Sequence, residues 1–232
     1  MIKALIFDVF GTLVDWRHSI AREAETLLGP EGISIDWLLF SDLWRDEYQP
    51  AMELVRAGEI PFSKLDQLHM RNLEIVLNNF NITGLNNTTK EALNHAWHRL
   101  DAWPDVKLGL DKLRSKYLLA PCSNGNISLM VDLARYNDLR WDAILGAEIA
   151  RDYKPKPVVY LSSADAFGLQ PDEVMMVAAH SNDLDAAQNA GLKTAFISRP
   201  YEYKDNLGER YSSIKVDYSA DTLLDLADQL KC

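Results

Sequence analysis

Apolar residues follow two different rhythms along this chain, and the change of rhythm divides it. Near the start a short continuous apolar run, Ala4 to Phe7, delivers Asp8 to a turn carrying Gly11 and Thr12. A run of that length bounded by turn residues predicts a buried strand. Between Val14 and about Trp103 no convincing strand pattern is present, and the spacing is helical instead. Trp37, Phe40, Trp44 and Tyr48 fall near one helical face, as do Leu65, Leu68, Leu73, Val76 and Phe80. Gly58 with Pro61 separates these two helices. Ser63 followed by Asp66 predicts the start of the second, and Thr88 with Glu91 resembles a capping box for a third.

From Asp105 the pattern changes to alternation. A helix over 105–116 leads to a strand over 117–122 and a helix over 127–136. Further strands are predicted near 143–146, 173–178, 193–198 and 214–217, with helices 157–168, 183–190 and 220–230 between or after them. Strands alternating with helices imply a parallel sheet covered on both faces. The expected fold class is therefore α/β: a Rossmann-like parallel sheet core from residues 1–14 plus 101–232. A helical cap subdomain at 15–100 is inserted after the first strand. There are no internal repeats and no low-complexity stretches.

Composition narrows the function classes. A chain of 232 residues with 47% hydrophobic content can bury a core of this size. No segment approaches the roughly 20 apolar residues needed to span a bilayer. The N-terminal apolar run contains Asp8 and reads as a strand rather than a signal peptide. Cys122 and Cys232 make neither a metal pattern nor a disulfide framework, so a reducing cytoplasm is the expected location. The net charge of −10 is dispersed, which argues against nucleic acid and anionic membrane as partners. It also repels an anionic substrate, so local cations must catch any carboxylate ligand.

An aspartate at the carboxyl end of a buried strand sits where open α/β sheets bind their ligands. The segment IKALIFDVFGTLVD at 2–15 resembles the first signature of the haloacid dehalogenase-like superfamily, whose phosphatases read D-x-D-G-T. Phe10 replaces the second Asp, and a Phe can neither hold Mg2+ nor handle a leaving-group proton. An aromatic there is typical of the hydrolytic 2-haloacid dehalogenases. The resemblance continues in Ser123 of PCSNGN, in Lys154 of DYKPKPVVY with Tyr160 six positions on, and partly in VAAHSNDLDAA.

This likeness implies a set of roles. Asp8 is the nucleophile that attacks C2 of the substrate, expels halide and forms an ester that water then cleaves. Thr12 orients its carboxylate, and the backbone N–H groups of Val9 and Phe10 offer an anion site. Ser123 binds the substrate carboxylate, Asn124 presents its amide near the halide, and Lys154 keeps Asp8 ionised. Arg45 of LWRDEY, projecting from the cap, grips substrate and halide. Tyr160 belongs to the substrate pocket or packs beneath the Lys154 loop.

In the last motif Ala178 and Ala179 stand where a magnesium-dependent member has Gly and a metal-binding Asp. Asp8 and Asp183 alone are too few oxygen ligands for a dedicated Mg2+ site, so no metal and no cofactor are expected. His180 either activates the hydrolytic water or donates a hydrogen bond to a carboxylate. Asp183 either assists it or caps the helix that follows. Trp16 and Arg17 lie at the expected hinge and are candidates to line the pocket, whereas His69, His95 and His98 read as surface or packing. The expected substrate is a small halogenated carboxylic acid, with L-2-halo acids and homodimerisation the family habit. The alternatives are a magnesium phosphatase of the superfamily, the same covalent chemistry on another activated carboxylate, and a silent binding module.

Overall fold

The computed structural model describes residues 1–232. Its centre is a six-stranded sheet of order β5-β4-β1-β6-β7-β8, parallel throughout. The strands are β1 (Ala4–Phe7), β4 (Leu118–Ser123), β5 (Leu145–Gly146), β6 (Val174–Ala178), β7 (Lys193–Ile197) and β8 (Tyr218–Ala220). Every side chain of β1 is fully buried, and alternation sends them to opposite faces. Leu5 and Phe7 join one apolar cluster with Val106, Leu110 and Leu223, whereas Ala4 and Ile6 join another with Val159, Tyr160 and Leu184. Burial of each large apolar side chain is worth about 1.5–3 kcal/mol, which anchors the strand that carries Asp8.

A two-residue antiparallel ribbon, β2 (Val14–Asp15) with β3 (Asp101–Ala102), joins the points where the chain leaves and re-enters the core. The sequence pattern gave no sign of it, because two residues are too few to show alternation. Between its strands lie α1 (Trp16–Leu28), α2 (Trp37–Asp46), α3 (Tyr48–Arg56), α4 (Leu65–Asn79) and α5 (Asn87–Asn94), then a 3-10 turn at His95–His98. The core adds α6 (Val106–Arg114), α7 (Ile127–Tyr136), α8 (Ala147–Ala150), α9 (Pro157–Ala166), α10 (Ser181–Asn189) and α11 (Leu223–Gln229). No helix of this protein is long and apolar enough to cross a membrane.

Several boundaries differ from the sequence expectation. The Trp-rich helix does not run unbroken through Tyr48: it stops at Glu47 and restarts as α3. Pro50 has no N–H for the carbonyl of Asp46, so the helical ladder fails there. Helix α4 starts after Lys64, not Ser63, and the Gln67 side chain accepts from the Lys64 N–H. Asn86, not Thr88, caps α5 by accepting the Thr89 N–H at 2.9 Å. The last strand lies at 218–220 rather than 214–217. Ile214 and Val216 mimic a strand but pack as partly buried loop residues against the second cluster.

Candidate active site

Asp8 directly follows β1, at the place where the sheet extends to β4 on one side and to β6 on the other. That is the switch point at which open α/β sheets leave a crevice. The Asp8 N–H donates to Val177 O at 3.0 Å, so the backbone stays on the sheet while the side chain leaves it. The turn beyond it requires Gly11: its φ is +86°, and an added Cβ would sit 2.0 Å from a Glu202 carboxylate oxygen.

The Asp8 carboxylate is held on both oxygens. Lys154 Nζ donates to Oδ1 at 2.8 Å, and Thr12 Oγ1 donates to Oδ2 at 2.7 Å. Thr12 is itself oriented, since its Oγ1 accepts the Ala179 N–H at 2.9 Å. His180 Nδ1 lies 3.1 Å from Asp8 Oδ2, and its Nε2 lies 2.8 Å from Glu202 Oε2. Burial alone would raise the Asp8 pKa, but the charge of Lys154 and the His180 hydrogen bond outweigh it and hold the group below the usual carboxylate range. Burial likewise works against charge on His180. The Glu202 charge and the Asp8 hydrogen bond prevail and raise its pKa well above the ordinary value. Both His180 ring nitrogens thus face carboxylate oxygens, an arrangement that favours the charged imidazole.

Lys154 also donates to Asp183 Oδ2 at 2.5 Å, and Tyr160 OH donates to Asp183 Oδ1 at 2.5 Å. Desolvation lowers the Lys154 pKa, yet Asp183 and Asp8 more than compensate and keep it charged. Burial and the nearby Asp8 charge raise the Asp183 pKa, so it is the more basic of the two carboxylates. Asp183 is not the N-cap of α10. His180 holds that position, and the Asp183 side chain turns inward to Lys154.

Above the carboxylates the cap contributes Arg45. Its guanidinium carbon lies 4.0 Å from the Tyr48 ring centroid and 5.7 Å from that of Phe10. The residue is half-buried, but its Nη1 is inaccessible to solvent and has no hydrogen-bond partner. A buried donor of this kind is costly unless a ligand satisfies it. A cavity of about 620 Å3 opens here, with Asp8, Arg45, Asn124, Lys154, His180 and Asp183 among its walls. The Asn124 amide is fixed because its Oδ1 accepts the Lys154 N–H at 2.9 Å.

Not every expected ligand group faces that cavity. Ser123 is fully buried, and its Oγ accepts the Gly125 N–H at 3.0 Å within the turn. The Val9 and Phe10 side chains are buried too, and Phe10 packs edge-on against Trp97 at 5.9 Å. The backbone N–H groups of Val9 and Phe10 find no acceptor within the chain, which leaves them for an anion. Arg17 does not line the pocket: it is paired with Asp42 at 2.6 and 2.9 Å. Trp16 instead donates its Nε1 to Glu202 Oε1 at 3.1 Å. His69 is fully buried and stacked on Trp97 at 4.3 Å, and burial lowers its pKa to about 3.

Sequence reasoning missed Glu202, which is 1% exposed and fixes the far side of His180. The only signal was an acidic residue in the loop after β7, on the same sheet edge as Asp8. It also missed Arg56, which donates to the Lys154 carbonyl at 2.9 Å and ties α3 to the Lys154 loop.

The chain belongs to the haloacid dehalogenase-like hydrolases: the family model of that description matches residues 2–191. The (S)-2-haloacid dehalogenase 4A of Burkholderia cepacia is 31% identical over 209 residues, covering 88% of this chain and 87% of that protein. The solved structure of a defluorinating L-2-haloacid dehalogenase superposes with a TM-score of 0.95 at 41% identity, over 100% of this chain and 96% of that one. A second L-2-haloacid dehalogenase structure gives a TM-score of 0.95 at 43% identity, over 100% of this chain and 99% of the other.

Proposed function

We propose that this protein hydrolyses small 2-haloalkanoic acids to 2-hydroxy acids through an ester on Asp8, with no metal in the chemistry. Its similarity to (S)-2-haloacid dehalogenases supports the enzyme class, a hydrolase acting on carbon–halide bonds. The observation that carries the mechanism is an Asp8 carboxylate held by Lys154 and Thr12 in a cavity that it shares with Arg45, whose inaccessible Nη1 has no partner. Phe10 and Ala179 supply no oxygen ligand beside it, and Lys154 already bridges the two remaining carboxylates.

Asp8 Oδ2 is occupied by Thr12 and His180, whereas Oδ1 carries only the Lys154 bond and keeps a lone pair for attack. That pair forms the bond to C2 as the carbon–halogen bond breaks, and halide leaves with its electrons toward Arg45 and the Asn124 amide. The substrate carboxylate meets the N–H groups of Val9 and Phe10 near Ser123. Water then attacks Cγ of the ester. Asp183 takes its proton, and the oxyanion developing on Oδ2 receives the Thr12 hydroxyl and the His180 imidazolium. Collapse breaks the Cγ–Oδ1 bond and returns that proton to the departing 2-hydroxy acid, and the Asp8 carboxyl releases the water's second proton to solvent, restoring the carboxylate. Back-side attack inverts C2, so an (S)-substrate gives the (R)-product.

Halide release from chloroacetate and 2-chloropropionate, with and without EDTA, tests this function. Equal rates are expected. Turnover confined to phosphate esters and abolished by EDTA would assign the magnesium phosphatase instead.

Two variants probe the anion-binding and oxyanion groups. Arg45→Lys keeps the charge but loses the planar stack on Tyr48 and the second nitrogen, so KM is expected to rise about 10- to 100-fold, the worth of one charged hydrogen bond. An unchanged KM on steady-state assay would place substrate elsewhere. Glu202→Gln removes the charge that keeps His180 protonated. Because the folded His180 pKa is raised, its stabilising contribution is complete below about pH 6.5 and is lost as pH rises through the folded value. The variant should therefore shift the alkaline limb of activity to lower pH. Loss of kcat/KM above neutrality should be on the order of 10- to 100-fold. A pH–rate profile superimposable on wild type would remove His180 from the oxyanion role.

A further inference from the structure

A second cluster of chemically competent side chains lies outside the Asp8 cavity, where the end of the cap meets α7. His95 and His98 are the first and last residues of the 3-10 turn after α5. With about three residues per turn, positions i and i+3 eclipse, so both imidazoles project to the same side. Their ring centroids are 4.0 Å apart. Asp132, from α7 of the core, faces them. One potential ligand atom from each of His95, His98 and Asp132 lies within 4.8 Å of the other two.

The surroundings of His98 are ordered on both sides. Its Nδ1 is 2.7 Å from Asp132 Oδ2, and its Nε2 is 3.1 Å from Asp66 Oδ1. Asp66 is in turn held by Asn126 Nδ2, which donates to Oδ2 at 2.8 Å. With Nε2–H given to Asp66, an ion that displaces the proton between Nδ1 and Asp132 would meet the Nδ1 lone pair and the carboxylate together.

We propose that His95, His98 and Asp132 form a binding site for one divalent transition-metal ion of the zinc type. Two imidazole nitrogens and one carboxylate oxygen are a donor set that zinc accepts, whereas calcium and magnesium prefer all-oxygen cages. Asp66 on the far nitrogen of His98 is the carboxylate–histidine arrangement that orients metal-ligating imidazoles. Bonds of about 2.0–2.2 Å to three protein ligands leave a fourth, tetrahedral position for water. His98 and Asp132 are already close enough, and His95, exposed to solvent, is free to swing in. The two carboxylates, Asp66 and Asp132, balance the ion's charge. Arg99, the nearby cation, is already paired with Glu23 at 2.7 Å. Because His95, His98 and Asp66 come from the cap segment and Asp132 from the core, the ion would pin one to the other. It would serve the fold rather than the hydrolysis.

The test is calorimetric titration of Zn2+ into full-length protein that has been dialysed against chelator, beside His95→Ala and Asp132→Asn. The proposal expects one ion per chain, at least 10-fold weaker binding in each variant, and a Zn2+-dependent rise in Tm that both variants lose. Mg2+ at equal concentration should give neither signal. Halide release by metal-free His95→Ala should match wild type, showing that the variant is folded. Absence of Zn2+ binding, or equal affinity in wild type and both variants, would overturn the site. In the second case the ion would lie elsewhere, for example on His180 and its carboxylates.

Discussion

Replacing Asp8 by Asn is expected to lower halide release by four orders of magnitude or more, on the scale seen when a covalent nucleophile is removed. The amide has no anionic lone pair to displace halide, and no ester can form. The fold should survive. Asn has nearly the same volume, its carbonyl can still accept the Thr12 hydroxyl, and Lys154 remains paired with Asp183. Far-UV circular dichroism should overlay on wild type while single-turnover halide release disappears. Loss of folded signal together with activity would leave the role of Asp8 unread. In that event Asp8→Glu, which keeps the charge but displaces the oxygen by one methylene, is the control. It should fold and still fail to turn over at more than a small fraction of the wild-type rate.

Lys154→Met should have the second largest effect, on activity and stability together. Lys154 is buried and bridges Asp8 and Asp183, so removing it leaves two carboxylates confined with no lysine between them. Breaking a buried pair in this way costs about 3–5 kcal/mol, and the remaining pair responds by taking up a proton. The sign follows from the direction of the Asp8 shift. Its folded pKa is depressed in wild type, so its stabilising contribution is present above the unfolded value near 3.9 and is lost as pH falls through the folded one. Without Lys154 the Asp8 pKa rises. The acid limb of kcat/KM should move to higher pH, with a loss at neutral pH on the order of 10^3-fold. Urea unfolding and a pH–rate profile check both parts. An acid limb that stays in place would mean that His180 alone keeps Asp8 ionised.

Much of this site was visible in the residue order because the sheet places its chemistry at strand ends. Asp8, Lys154, His180 and Asp183 each stand in a turn or at a helix start beside a strand, where Gly, Pro or an abrupt end of the apolar run marks the boundary. Phe10 and Ala179 were equally legible, since a missing carboxylate is as plain as a present one. Glu202 was not. It lies in the irregular stretch between β7 and β8, with no period to place it, and meets His180 only through the folding of that loop. The split at Pro50 turns α3 so that Arg56 reaches the Lys154 carbonyl, a contact that helical periodicity across residues 37–56 cannot convey. Ser123 shows the opposite limit. The S-N-G turn located the end of β4, but not that the Ser123 Oγ accepts the Gly125 N–H within the turn and lies fully buried beside the cavity wall.

The ester on Asp8 is tested most directly by one turnover in 18O-water with enzyme in excess over 2-chloropropionate, followed by mass analysis of product and of the peptide carrying Asp8. If water attacks Cγ, the first 2-hydroxy acid carries the oxygen that Asp8 supplied, and the label appears in the Asp8 carboxylate. Label in the first-turnover product with none in Asp8 would mean that water attacks C2 directly, and the covalent mechanism would be wrong.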